Sequence, residues 1–208
     1  LEGHTSEVTT LDINRAGTML VSGSLDNTVR VWNLAMGEET GQIRSGVGRI
    51  TKVALIRDDQ FVLVIGSRKT AEIWNVRTGK LATALTVPSA VRDAALSADN
   101  KILVWAHSSS APGNISIFKM STGAVVGQLN CPSSPYYVAV SPTGRLVAAA
   151  SGDRNVYVWE LSQKTLAAPL TGLGSGATDV AISPNEKLIA ACALNRVIVW
   201  DLANGKIV

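Results

Sequence analysis

The 208-residue chain carries only two histidines and two cysteines, with aromatic residues at 5% and charged residues at 17%. Each shortage closes a class of function. Cys131 and Cys192 make neither a disulfide framework nor a cysteine-rich zinc site. Reduced thiols and a cytoplasmic or nuclear location are therefore expected, and no secretory leader is recognisable. No apolar run approaches the ~20 residues that cross a bilayer as a helix. Net charge is +3, but Lys and Arg are scattered, whereas a nucleic-acid footprint shows a stripe or block. Glycines fall singly in turns and never form a phosphate-cradling loop that opens a helix. No cofactor and no metal site is implied.

What the chain has is apolar residues, 46% of the total, and a repeat. Aligned on one aromatic position, Trp32, Trp74, Phe118, Trp159 and Trp200 recur at spacings of 42, 44, 41 and 41 residues. Each closes an alternating segment: TVRVWNL, TAEIWNV, NISIFKM, NVYVWEL and RVIVWDL. Alternation with β-branched residues is the period-2 signature of a strand. About twenty residues upstream of each lies a strand ending in a Gly, Asn, Asp or Pro turn, as in VTTLDINRAG and YYVAVSPTG, residue types that suit tight bends. A short apolar strand such as MLVSGS or RLVAAA follows, and in the first four repeats a further short strand follows the aromatic one. No segment of useful length has the 3.6-residue period of a helix. The expected unit is four antiparallel strands, and such a sheet cannot bury both faces alone, so the units stack about an axis. The expected fold is all-β, a β-propeller of five blades at approximately 3–45, 46–87, 88–130, 131–171 and 172–208.

The first repeat carries Gly3-His4, Ser22-Gly23-Ser24, Asp26 and Trp32-Asn33, and through these residues the chain resembles the WD-repeat propeller family. The resemblance implies a hydrogen-bonded chain of His4, Ser22 (or Ser24), Asp26 and Trp32, which locks loop to strand when every member is satisfied. The other repeats depart from it. The fourth keeps Ser151, Asp153 and Trp159 without a His; the fifth has Leu194 where the Asp belongs; the second has Arg68 there. The third has Phe118 for Trp and a longer loop, SSSAPG. Those blades are expected to rely on apolar packing. The family's commonest ring has seven blades, so the five repeats are expected to belong to a larger propeller.

Catalytic readings are weak. His4, Asp26 and Ser22 have the residue types of a hydrolase triad, but the repeat places them inside a blade. His107, before the SSSAPG loop, reads as a solvated loop histidine. Asp12, Asp93 and Asp179 lie on innermost strands and read as solvated carboxylates lining the channel, without a helper His or the paired geometry of glycoside hydrolysis. Cys192 reads as a small buried hydrophobe, and Cys131, in an inter-blade loop beside Pro132, has no basic neighbour in sequence to activate it.

The resemblance implies an interaction platform, and fold alone does not locate its site. The informative positions open each innermost strand: Thr9/Thr10, Thr51/Lys52, Arg92/Asp93, Tyr136/Tyr137 and Thr178/Asp179. They occupy equivalent places but differ between repeats. Loops before the aromatic strand add Arg68, Lys69 and Arg154. Tyr and Arg are enriched at binding hot spots, which favours Tyr136-Tyr137. The candidate partner-binding set is Lys52, Arg68, Lys69, Arg92, Tyr136, Tyr137, Arg154 and Asp179. The expected function is a non-catalytic scaffold for protein or peptide partners and a subunit of a larger complex, with no small-molecule substrate. The alternatives are the regulatory arm of a multidomain nucleotide-binding signalling protein and, third, a propeller hydrolase.

Overall fold

Alternating apolar residues and turn-forming Gly, Asn and Asp between them produce strands throughout. The computed structural model describes residues 1–56, 59–86, 91–107, 114–163 and 165–208, and among these there is no helix. The strands form five antiparallel sheets in strict chain order, distributed over two compact units, Leu1–Val91 and Arg92–Val208. The chain is an all-β protein of the β-propeller blade type.

The first unit holds two blades. Blade 1 comprises β1 (Val8–Ile13), β2 (Met19–Ser24), β3 (Thr28–Asn33) and β4 (Glu38–Arg44). Blade 2 comprises β5 (Ile50–Ile56), β6 (Phe61–Gly66), β7 (Thr70–Asn75) and β8 (Leu81–Thr86). Register puts Val53, Leu55, Val62, Val64 and Trp74 on one face of blade 2. That face packs on Val21, Val29, Val31 and Ile43 of blade 1. Each Val or Leu buried there contributes roughly 1.5–3 kcal/mol. Gly23, in the Ser-Gly-Ser motif, is needed for this closeness: an added Cβ would lie 2.6 Å from Ile50 and 2.9 Å from Val53.

The second unit repeats the arrangement. Blade 3 comprises β9 (Val91–Leu96), β10 (Ile102–His107), β11 (Asn114–Lys119) and β12 (Ala124–Asn130). Blade 4 comprises β13 (Pro135–Val140), β14 (Leu146–Ser151), β15 (Val156–Glu160) and the short β16 (Thr165–Leu166). Blade 5 has β17 (Asp179–Ile182), β18 (Leu188–Ala193) and β19 (Arg196–Asp201), with an antiparallel bridge from Trp200 to Ile207 in the fourth-strand position. The indole-bearing face of blade 4, including Val147, Ala149 and Trp159, packs on Val104, Ala106 and Ile117 of blade 3. The corresponding face of blade 5, including Val180, Ile189 and Trp200, packs on Ala148, Ala150 and Val158 of blade 4.

Two irregularities recur and bear on function. The pairing of first and second strands slips by one residue between Val8/Thr10, Ile50/Lys52 and Pro135/Tyr137. The bulged residues are Thr9, Thr51 and Tyr136. A bulge frees one residue from the ladder and re-aims its side chain, so this position leaves the inward/outward alternation of its strand. A second slip falls beside the aromatic position, between Val31/Trp32, Ile73/Trp74 and Ile117/Phe118.

Candidate recognition surface and the network that supports it

In blade 1 the polar groups form one chain. Trp32 Nε1 donates to Ser22 Oγ at 2.8 Å, Ser22 Oγ meets His4 Nε2 at 2.8 Å, and His4 Nδ1 meets Asp26 Oδ2 at 2.9 Å. Because the indole can only donate, Ser22 accepts from it and passes its own O–H to His4 Nε2. The neutral His4 tautomer with hydrogen on Nδ1 then donates to Asp26. Ser24 lies outside this chain, accepting from the Asp26 backbone N–H at 3.1 Å and donating to Ser6 O. Burial pushes the Asp26 carboxyl up. Hydrogen bonds from the Thr28 hydroxyl, the His4 ring and the backbone N–H groups of Thr5 and Thr28 outweigh it and hold the pKa well below the usual carboxylate range. Ser22 is 5% exposed, and its oxygen is spent on the indole and the imidazole. The Ser–His–Asp triple therefore presents no open nucleophile to a substrate.

Blades 2 and 5 give the indole N–H a different acceptor, which corrects the expectation of apolar packing there. In blade 3 the packing is apolar as expected, and Trp105 Nε1 has no hydrogen-bond partner among the described residues. In blade 2, Trp74 Nε1 donates to Glu72 Oε2 at 2.9 Å, and Ser45 Oγ and the Gly46 N–H donate to the same carboxylate. One acidic side chain replaces the Ser–His–Asp relay. In blade 5, Trp200 Nε1 donates to Thr171 O at 3.0 Å. In blade 4, Asp153 accepts from Tyr157 O–H at 2.6 Å, and that ring lies 6.2 Å from Trp159. In blade 3 the large indole moves to the second strand: Trp105 occupies the register of Ser22 and packs at 6.0 Å on Phe118, which occupies that of Trp32. His107, read from sequence as a solvated loop residue, ends strand β10, is 3% exposed, and bonds Ser116 Oγ through Nε2 at 2.8 Å. The SSSAPG loop, 108–113, lies outside the described residues.

The paired positions at the start of each innermost strand split into two kinds. The second residue faces the next blade in the first, third and fourth pairs; Thr9 of the first pair also reaches it, donating from Oγ1 to Ile50 O at 2.7 Å. Thr10 Oγ1 accepts from the Val53 N–H and Asp12 Oδ2 from the Leu55 N–H, at 3.3 and 2.8 Å. In the second unit Asp93 Oδ2 accepts from the Val138 N–H at 2.8 Å. Asp12 and Asp93 are therefore clasps between neighbouring blades and not solvated channel carboxylates. Tyr137 belongs to this kind, packed against the core shared by blades 4 and 5. Asp179, in the same register, is exposed and accepts from its neighbour Val180 N–H. Lys52 also occupies this register and is half-buried.

The first residue of each pair is the bulged or equivalent one. In the second unit this brings two candidates together: the Arg92 guanidinium carbon lies 4.2 Å above the centre of the Tyr136 ring. The turn after β14 supports the ring from its hydroxyl end, since an added Cβ at Gly152 would lie 3.2 Å from Tyr136 Cζ and Oη. Arg154 stands two residues further along, exposed, in the left-handed conformation at φ 72° with its N–H on Ser151 O. Among the described residues no carboxylate pairs with Arg92 or Arg154. In the first unit Arg68 is tied to Gly46 O at 2.9 Å and Lys69 is exposed.

Other chemistry is scarce. Cys131 is 1% exposed, and burial pushes its thiol up to about 11; Cys192 is half-buried. Among the described residues no group of three or more His, Cys, Asp or Glu could hold a metal ion, and no helix is long and apolar enough to cross a membrane. Sequence reasoning missed Glu72, although the signal was present. Alternation in TAEIWNV places Glu72 on the face of Trp74, where a carboxylate needs a donor and an indole N–H needs an acceptor. The Arg92–Tyr136 stack had no such signal, because it joins two blades.

The family model described as WD domain, G-beta repeat matches residues 1–33, 123–160 and 164–201, just over half of the chain. The WD repeat-containing protein slp1 of Schizosaccharomyces pombe is 28% identical over 176 residues, 77% of this chain and 34% of that protein. Pre-mRNA-processing factor 19 homolog 2 of Arabidopsis thaliana is 24% identical over 202 residues, 94% of this chain and 38% of that protein. Eukaryotic translation initiation factor 3 subunit I of Debaryomyces hansenii is 28% identical over 123 residues, 58% of this chain and 35% of that protein. The chain thus spans about a third of the length of each of these curated relatives.

Proposed function

Since the chain belongs to the WD-repeat family, we propose that it is a non-catalytic scaffold recognising protein or peptide partners. Its docking surface in the second unit centres on Tyr136 with Arg92 and Arg154. The observation that carries this reading is the Arg92–Tyr136 contact on a bulged strand opening, with neither arginine paired to a carboxylate among the described residues. An aromatic ring held by its neighbours loses little freedom on binding, and Tyr and Arg dominate binding hot spots. Tyr137 and Asp93 serve the blade junctions behind this surface, and Lys69 and Arg68 belong to the first unit. A relative named as a subunit of a translation initiation factor fits a working life inside an assembly, here in the cytoplasm or nucleus with both thiols reduced.

The test replaces Tyr136 and Arg154 by alanine together and compares wild type and variant as baits. Partners held by wild type are identified by mass spectrometry and their affinities measured in pure form. The double variant is expected to weaken them by about tenfold or more. Its thermal midpoint should stay within about 2 °C, as for surface substitutions. Unchanged affinity in a folded variant removes this surface.

A further inference from the structure

We infer that the Arg92–Tyr136–Arg154 patch reads an oxyanion: its ligand is a carboxylate or phosphomonoester side chain on the partner peptide. This rests on the recognition surface above and adds the chemistry of what it recognises. Three other arginines are satisfied by oxygen acceptors. Arg30 is bonded to Glu39, Arg145 to Glu160 and Glu186, and Arg68 to a backbone carbonyl. Arg92 instead rests on a ring. A guanidinium whose contact is a ring face keeps N–H groups for carboxylate or phosphate oxygens, which it matches as a fork.

The surroundings contribute donors and withhold acceptors. The two nearest carboxylates in sequence are already used: Asp93 accepts from the Val138 N–H, and Asp153 from the Tyr157 O–H and the Asn155 N–H. Asp153 is held below its ordinary pKa because these bonds outweigh the upward push of burial. The turn that carries Arg154 touches the hydroxyl end of Tyr136, and Arg154 is exposed two residues beyond that contact. A group that only accepts hydrogen bonds and carries negative charge suits the Arg92 guanidinium beside that turn. A peptide side chain suits a patch of this size; nucleic acid would need a longer track of basic residues, and the basic residues elsewhere in the chain are scattered.

The probes are short degenerate peptides with a fixed central Ser, Glu or phosphoserine, and an oligouridylate, measured against the 208-residue chain by fluorescence anisotropy. Glu- or phosphoserine-centred peptides are expected to bind about ten- to hundredfold more tightly than Ser-centred ones, the range of charged hydrogen bonds. Preference for phosphoserine over Glu assigns a phosphomonoester, and the reverse a carboxylate. Arg92→Gln and, separately, Arg154→Gln should each abolish the preference, while Tyr136→Phe retains it. Equal binding of all three centres that Tyr136→Ala still weakens overturns the oxyanion reading and leaves the recognition surface standing. Peptide binding that ignores Tyr136→Ala overturns both. Oligouridylate binding more tightly than every peptide overturns the oxyanion-on-peptide assignment in favour of nucleic acid.

Discussion

Replacing Ser22 by alanine removes one hydroxyl and breaks two hydrogen bonds, each at 2.8 Å, in the middle of the blade 1 chain. Trp32 is 4% exposed, so its N–H loses the only acceptor it has and water cannot replace it. A buried donor left unsatisfied costs about 1–3 kcal/mol. His4 Nε2 loses its donor as well, and with the side chain only 6% exposed this adds about 1 kcal/mol. The expected loss is about 2–4 kcal/mol, and about 3 kcal/mol lowers the thermal midpoint of a chain of this size by about 6–12 °C. Urea unfolding followed by tryptophan fluorescence gives the free energy, and calorimetry gives the midpoint. The control is Ser22→Ala combined with Trp32→Phe, which removes donor and acceptor together. The double variant should cost about 1–2 kcal/mol less than the sum of the singles, because the orphaned N–H is gone. A single-variant loss below about 0.5 kcal/mol, the range of indifferent surface changes, or strict additivity, would refute the reasoning.

Three further outcomes are expected. Glu72→Ala should cost about 1–3 kcal/mol, because Trp74 Nε1, Ser45 Oγ and the Gly46 N–H lose one shared acceptor; an indifferent unfolding curve would show that the second blade does not depend on it. Stability should fall with acid. Thr143 leads the hydrogen bonds that hold the Glu186 carboxyl at about 2, and Asp26 lies lower still. The unfolded chain thus takes up protons first, so this stability is complete above the ordinary carboxylate range near pH 4 and is lost as pH falls through the folded values. Asp26→Asn should flatten the slope of unfolding free energy against pH, and an unchanged slope would deny that contribution. Under native conditions a thiol reagent should modify Cys192 well before Cys131, whose burial suppresses the thiolate; equal rates by intact mass would contradict the buried site.

Blade architecture was readable from residues alone because it depends on local period. Trp32, Trp74, Phe118, Trp159 and Trp200 each lie on the strand that alternation assigns to them. The His4, Ser22, Asp26 and Trp32 contacts were reachable through the family resemblance. What stayed hidden joins elements distant in sequence. Asp12 and Asp93 looked like solvated acids because their acceptor role needs an N–H some forty residues away on the next blade. In sequence Tyr136 and Tyr137 read as a paired anchor, with the alternative that one packs between blades; the bulge before Tyr137 sends one ring to Arg92 and the other to the blade junction. His107 looked like a loop residue because nothing local marks the end of β10, and its partner Ser116 lies across the hairpin.

Amide hydrogen exchange, compared with and without a purified partner, tests the recognition surface most directly. Added protection concentrated at 91–93, 134–137 and 151–155 is the predicted result. Protection confined to other segments, such as the β6–β7 turn or the outer strand of any blade, would contradict it.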